Sequence, residues 1–284
     1  MKFLEIMGCY RVMIIFKIIR SQSFASRSVV AKFAIVTVAM FSFSILANVS
    51  DASKLKAAKN IEYTGQKIAK AYFYIQQNIQ VAAAKRNIKE GVAALNNDIA
   101  ALSDNIRDDE ERNMVTFLGF SNDELQQTLA QPYNVSNGAL ILDFSESLLE
   151  GGNLLATKYR NEDDKNEAEL IVVREMSFLL ERIAKYYIAF RAGFDDLNNL
   201  AQLQNAVDSF DAGLEKLNEH RGYPTRIINV LKKLNQYWAI TKRFYVSLKT
   251  SSLPIIVFNS TSRLEKALKD IELFHHKRAM IARS

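Results

Sequence analysis

From residue 53 onward the apolar residues of this chain recur at steps of three, four and seven, which gathers them on one face of a helix. Ile61, Ile68, Tyr72, Ile75 and Ile79 form the first such stripe. Ile88, Val92, Leu95, Ile99, Leu102 and Ile106 form the second, in alternating fours and threes. A shorter piece around Leu125 to Leu129 ends before Pro132, and Ile141, Phe144, Leu148 and Leu155 continue as a fourth stripe. The pattern then starts again. Met176, Leu179, Ile183, Tyr187 and Phe190 precede Leu200, Leu203, Val207, Phe210, Leu214 and Leu217. Gly222 and Pro224 interrupt the chain before Ile227, Leu231, Leu234, Trp238, Tyr245 and Leu248. Ser251, Ser252 and Pro254 interrupt it again before Leu264, Leu268 and Ile271. A spacing of about 3.5 residues per turn keeps each stripe against its neighbours, as in left-handed bundles.

The two sets of stripes are related to each other. Lys67-Ile68-Ala69-Lys70-Ala71-Tyr72 matches Arg182-Ile183-Ala184-Lys185-Tyr186-Tyr187 at an offset of 115 residues. The same offset places Val92, Leu95, Ile99 and Leu102 on Val207, Phe210, Leu214 and Leu217, and Leu149-Glu150 on Leu264-Glu265. A register held without a gap over such a length marks a duplicated unit. The expected fold class is all-α: two tandem antiparallel four-helix-bundle modules, at residues 53–160 and 166–284. Glu162-Asp163-Asp164-Lys165 connects them, either as a solvated loop or as helix running from one bundle into the next.

Residues 1–52 read differently, as a leader with an apolar core at about 29–47. Phe33 to Ala47 carries no charge, and Arg20, Arg27 and Lys32 precede it. Positive charge ahead of an apolar segment keeps the N-terminus cytoplasmic and sends the rest of the chain outward. Ser50-Asp51-Ala52 supplies small residues for cleavage before Ser53. The leader is thus either a cleaved signal peptide or an uncleaved anchor. Either way the expected location of the body is periplasmic, soluble or held at the inner membrane.

Composition sharpens this picture. The chain has 284 residues, 49% hydrophobic, with 3 Pro and 10 Gly, so long helices can bury a substantial core. Its net charge is +6, but residues 1–52 hold six basic residues against Glu5 and Asp51. The body keeps 31 basic residues against 29 acidic ones, too even a balance for nucleic-acid binding. The single cysteine, Cys9, lies in the leader, so the body forms neither an internal disulfide nor a cysteine metal site.

Few side chains suggest chemistry. His275 and His276 are adjacent, so they point about 100° apart on a helix and do not readily share an ion. Beside Lys277 and Arg278 they read as a solvated helix end. Asp108-Asp109-Glu110-Glu111 reads as a solvated run between helices. Trp238, Tyr237 and Tyr245 read as core anchors, while Tyr72, Phe73, Tyr74, Tyr186 and Tyr187 read as a mixture of core and groove positions. No phosphate loop, nucleophile elbow or haem-attachment motif is present, so neither a catalytic residue nor a cofactor nor a metal is expected.

The segments Gln66 to Tyr72 and Glu181 to Tyr187, with Asp143-Phe144-Ser145-Glu146 and Gln236-Tyr237-Trp238, resemble a known family. It is the N-terminal sensor domain of type IV pili methyl-accepting chemotaxis transducers, the PilJ domain, similar to the sensor domain of NarX-type nitrate receptors. The resemblance covers most of residues 53–284, and the tandem arrangement resembles the transducer's periplasmic region. It implies an exported sensory or adaptor module that binds a small anion or a protein ligand between helices. It also implies a membrane signalling partner or pilus component, and a homodimer is compatible with such bundles. On this resemblance the ligand-binding candidates are Lys67, Lys70, Arg182 and Lys185, with Arg174 nearby; the plainer reading leaves them at the surface. Where the family pattern opens with Arg, this chain has Glu62 and Ser177, so nitrate itself is not the expected ligand. The transducer's output region does not precede Ser284, so a sensor of this form is expected to signal through a partner. The alternative is a structural envelope or pilus-associated protein with no small ligand.

Overall fold

The computed structural model describes residues 27–104, 106–160, 165–248 and 253–283, with side chains described from Asp51 onward except at 165–167 and 282–283. Every regular element among them is helical: α1 Arg27–Gln76, α2 Val81–Ser103, α3 Asp109–Leu129, α4 Val135–Tyr159, α5 Lys165–Arg191, α6 Leu197–Glu219, α7 Thr225–Val246 and α8 Pro254–Arg283. The chain divides into Met1–Ser50 and Asp51–Ser284, and the packed helices belong to the second unit. Of the expected leader, residues 1–26 lie outside the described residues and 27–50 are helical. Among the described residues no helix is long and apolar enough to cross a membrane.

Local chemistry sets most of the helix ends. The carboxylates of Asp108 and Asp196 and the side-chain carbonyl of Asn134 accept hydrogen bonds from the backbone N–H three residues on, capping α3, α6 and α4. Proline precedes α7 at Pro224 and opens α8 at Pro254, positions where its missing N–H costs nothing. After α1 the chain reverses through Asn78 (φ 55°), with Ile79 N–H bonded to Tyr74 C=O at 2.9 Å. After α5 it reverses through Gly193 (φ 98°), with Phe194 N–H bonded to Ala189 C=O at 3.1 Å. Both are left-handed helix stops of the Schellman type.

Successive helices run antiparallel. Asn60 faces Asp98 and Ile68 faces Gly91 across α1 and α2. Glu111 meets Tyr159 and Leu118 meets Gly151 across α3 and α4. Arg182 meets Gln202 and Met176 meets Gly213 across α5 and α6. Asp211 meets Trp238 across α6 and α7, and Tyr245 meets Thr261 across α7 and α8. α4 returns along α1 so closely that Gly152 is required: a Cβ there would lie 2.9 Å from the Ala58 carbonyl oxygen. α8 returns along α5 through Arg174 and Glu272. One pairing differs. α1 and α5 run parallel, with Lys59 near Glu175 and Lys70 against Glu181.

The stripes read from the sequence face the core: Ile61, Ile68, Leu95, Leu102, Ile183, Phe210, Leu234, Trp238 and Tyr245 are all buried. Two readings need correction, and of two alternatives for the connection one is excluded. The short piece at Leu125 to Leu129 is the end of a 21-residue helix, α3, whose buried face includes Glu111, Ser121, Asn122 and Thr128. Tyr72, Phe73, Tyr74, Tyr186 and Tyr187 are all buried in the core, and none lines the two grooves described below. The chain leaves helix at Arg160, whose backbone is extended, so α4 does not continue into α5; residues 161–164 lie outside the described residues.

Candidate functional site

Where α1 and α5 meet, two lysines are buried in opposite senses. Lys70 on α1 reaches Glu181 at 2.6 Å and Glu265 at 3.0 Å. Lys185 on α5 reaches Glu146 at 2.6 Å and the Ser145 hydroxyl at 3.0 Å. An ammonium removed from water survives only with such partners. Burial still pulls Lys185 down to about 8, against the upward pull of Glu146. Burial raises Glu181 well above the usual carboxylate range, while its neighbour Glu265, against the upward push of its own burial, is held low chiefly by Lys70.

Two grooves flank the seam. The first, about 570 Å³, lies between α1, α4, α5 and α6, with Lys59, Glu62, Glu146, Glu150, Glu175, Arg182 and Lys216 on its walls and Leu149, Val172, Met176, Phe178 and Leu179 between them. The second, about 440 Å³, lies between α1, α5 and α8. Six of its residues, Asn60, Tyr63, Lys67, Arg174, Ser177 and Glu265, stand 115 positions from Glu175, Phe178, Arg182, Lys59, Glu62 and Glu150 of the first. The grooves thus occupy matching places but differ in charge. The second is basic: Arg174 is bound to Glu272 at 2.9 Å, while Lys67, Lys266 and Lys269 form no ion pair among the described residues. The first is carboxylate-rich, and its Glu62 is pushed up to about 7, chiefly by burial and against the attraction of Lys59.

Of the five candidate residues, three line these grooves: Lys67 and Arg174 the second, Arg182 the first. Lys70 and Lys185 line neither, and they are not at the surface either, being buried against carboxylates. Arg182 is tied to Glu146 and to Gln202 at 2.7 Å. Sequence reasoning missed the carboxylates Glu62, Glu146, Glu175 and Glu181 as groove and seam residues. One signal existed: Glu181 stands opposite Gln66 in the repeat, a charge gained at a position flanked by core residues.

Two solvated readings are also corrected. Glu111 is buried, bonded to Lys54 and to the Tyr159 hydroxyl, because Asp108 caps α3 and turns Glu111 inward. His275 is buried within α8, not at its end. Tyr223 stands 2.9 Å from its Nε2, and Glu169 places one carboxylate oxygen 2.7 Å from His220 and the other 3.0 Å from His275. These donors and acceptors face each other and not a common centre. Among the described residues no group of three or more His, Cys, Asp or Glu could hold a metal ion.

Comparisons with known protein families, curated proteins and solved structures return no match for this chain.

Proposed function

We propose that this chain is an exported sensory or adaptor module of the PilJ/NarX-like type, built as two tandem four-helix bundles, at residues 53–160 and 166–284, that take a small ligand or protein partner beside the α1–α5 seam. The observation that carries the reading is the pair of grooves lined at matching positions on either side of two parallel helices. The tandem arrangement also draws support from helix ends: Gln76 and Arg191, which end α1 and α5, are separated by the repeat offset, as are Asn78 and Gly193, the two left-handed stops. A ligand gripping α1 and α5 at once favours one of their relative positions, and a small displacement is transmitted along both helices. The leader sequence supports export to the periplasm.

A thermal-shift screen of the full-length chain against small anions, amino acids and pilin peptides tests this. A ligand specific for the folded state, at 100 times its dissociation constant, adds about 2.7 kcal/mol. A saturable rise supports the sensory reading, and a second test is a disulfide between cysteines placed on α5 and α6, whose formation rate should change with ligand. A cooperative melt that no small ligand moves favours the second reading, a structural interaction protein. That reading draws on Phe117, Phe120 and Leu154, large apolar side chains exposed on α3 and α4.

A further inference from the structure

We infer that the groove between α1, α4, α5 and α6 binds a free α-amino acid with an apolar side chain, its ammonium on Glu62 and its carboxylate on Arg182. The inference rests on the ligand-binding reading above and names the ligand class. Two buried atoms there have unmet needs of opposite kind. Lys59 donates to Glu62 Oε2 at 3.2 Å and stands 3.1 Å from Oε1 without hydrogen-bond geometry, so Oε1 accepts no hydrogen bond. Arg182 spends Nη2 on Glu146 and Gln202, while its Nε is buried with no acceptor. An unpaired acceptor and an unpaired donor in one groove call for a ligand that supplies both a cation and an anion.

The spacing suits such a ligand. Glu62 packs against Gly152 and Arg182 against Glu146, both on α4. Six residues of helix set those two contacts about 9 Å apart along the axis of α4. An amino acid's ammonium and carboxylate lie about 3 Å apart, and a hydrogen bond of about 2.9 Å at each end extends the span to about 9 Å. A simple anion would meet Glu62, Glu150 and Glu175 as like charges, and a simple amine would leave Arg182 Nε unmatched. Leu149, Met176, Phe178 and Leu179 wall the space between, which suits the side chain of leucine, methionine or phenylalanine. The second groove has Ser177 in the place of Glu62, so it has no carboxylate at that position.

Isothermal titration of the full-length chain with L-leucine, L-methionine and L-phenylalanine tests the inference. Two controls each lack one charge: 4-methylpentanoate has no ammonium and 3-methylbutylamine has no carboxylate. The expected result is saturable binding of an amino acid, weakened at least tenfold by removing either charge, by Glu62→Gln or by Arg182→Lys. Lys232→Ala, on the exposed face of α7, should bind as the parent does. Equal affinity for the single-charge controls, or unchanged binding in Glu62→Gln, overturns the assignment without needing the arginine variant to fold. If inorganic phosphate or another small ligand binds while no amino acid does, the ligand class is wrong and the sensory reading stands. If no small ligand binds at all, the inference falls together with the small-ligand form of the proposed function.

Discussion

Lys70 on α1 and Glu181 on α5 form an ion pair at 2.6 Å across the seam between two parallel helices, with both side chains essentially out of contact with water. Removing the cation alone leaves Glu181 and Glu265 facing each other. Lys70→Met should therefore cost about 3–5 kcal/mol in chemical denaturation, the usual consequence of orphaning a buried charge. Lys70→Met combined with Glu181→Met should recover most of that loss.

Glu62 gives stability a downward slope between mildly acidic and neutral pH. Its folded value of about 7 lies above the ordinary carboxyl range, because burial penalises the ionised form more than Lys59 favours it. A group raised in the folded state contributes fully at pH values below its unfolded value, and the contribution is lost as pH rises through the folded value. The unliganded parent should weaken as pH rises from about 4.5 to about 7, and Glu62→Gln should flatten that decline by up to about 3 kcal/mol. Urea titrations at several pH values measure the difference.

His275 acts in the opposite direction. Burial holds it below the ordinary histidine range, with His220 and Arg278 pushing the same way and Glu169 opposing. A group depressed in the folded state contributes stability above its unfolded value, about 6.5, and loses it as pH falls through the folded value. The melting temperature should drop between pH 7 and pH 5, and His275→Gln should remove part of that drop.

Two glycines separate packing from helix propensity. Gly152→Ala places a methyl 2.9 Å from the Ala58 carbonyl oxygen and should cost about 1–3 kcal/mol through displacement of α4 from α1. Gly119→Ala, within α3 and with nothing inside 4 Å, should instead add about 0.5–1 kcal/mol. Denaturant midpoints of the two variants, measured side by side, check both signs.

What the sequence discloses here depends on how local the physics is. Apolar periodicity is local, and it located the core faces of α6 and α7 almost residue by residue. It failed at α3, where Ser121, Asn122 and Thr128 take inward positions that a hydrophobic stripe would fill; the side-chain amide of Asn122 donates there to Asn96 Oδ1 at 2.7 Å. The lysines of the seam were legible as candidates but not as buried groups. Their partners lie far along the chain, Glu265 from Lys70 and Glu146 from Lys185, and no local pattern announces such a pairing. The orphaned atoms of Glu62 and Arg182 are further from view, since they depend on which hydrogen bonds their neighbours have already taken.

The parallel helices α1 and α5 belong to one polypeptide. In an assembly of two identical chains, any substitution on one side of such a seam appears on the other, so both flanking grooves must remain alike. Here Glu62 and Ser177 occupy matching places with different side chains. Covalent continuity frees each side to change by itself, and a basic groove can exist beside a carboxylate-rich one within a single molecule.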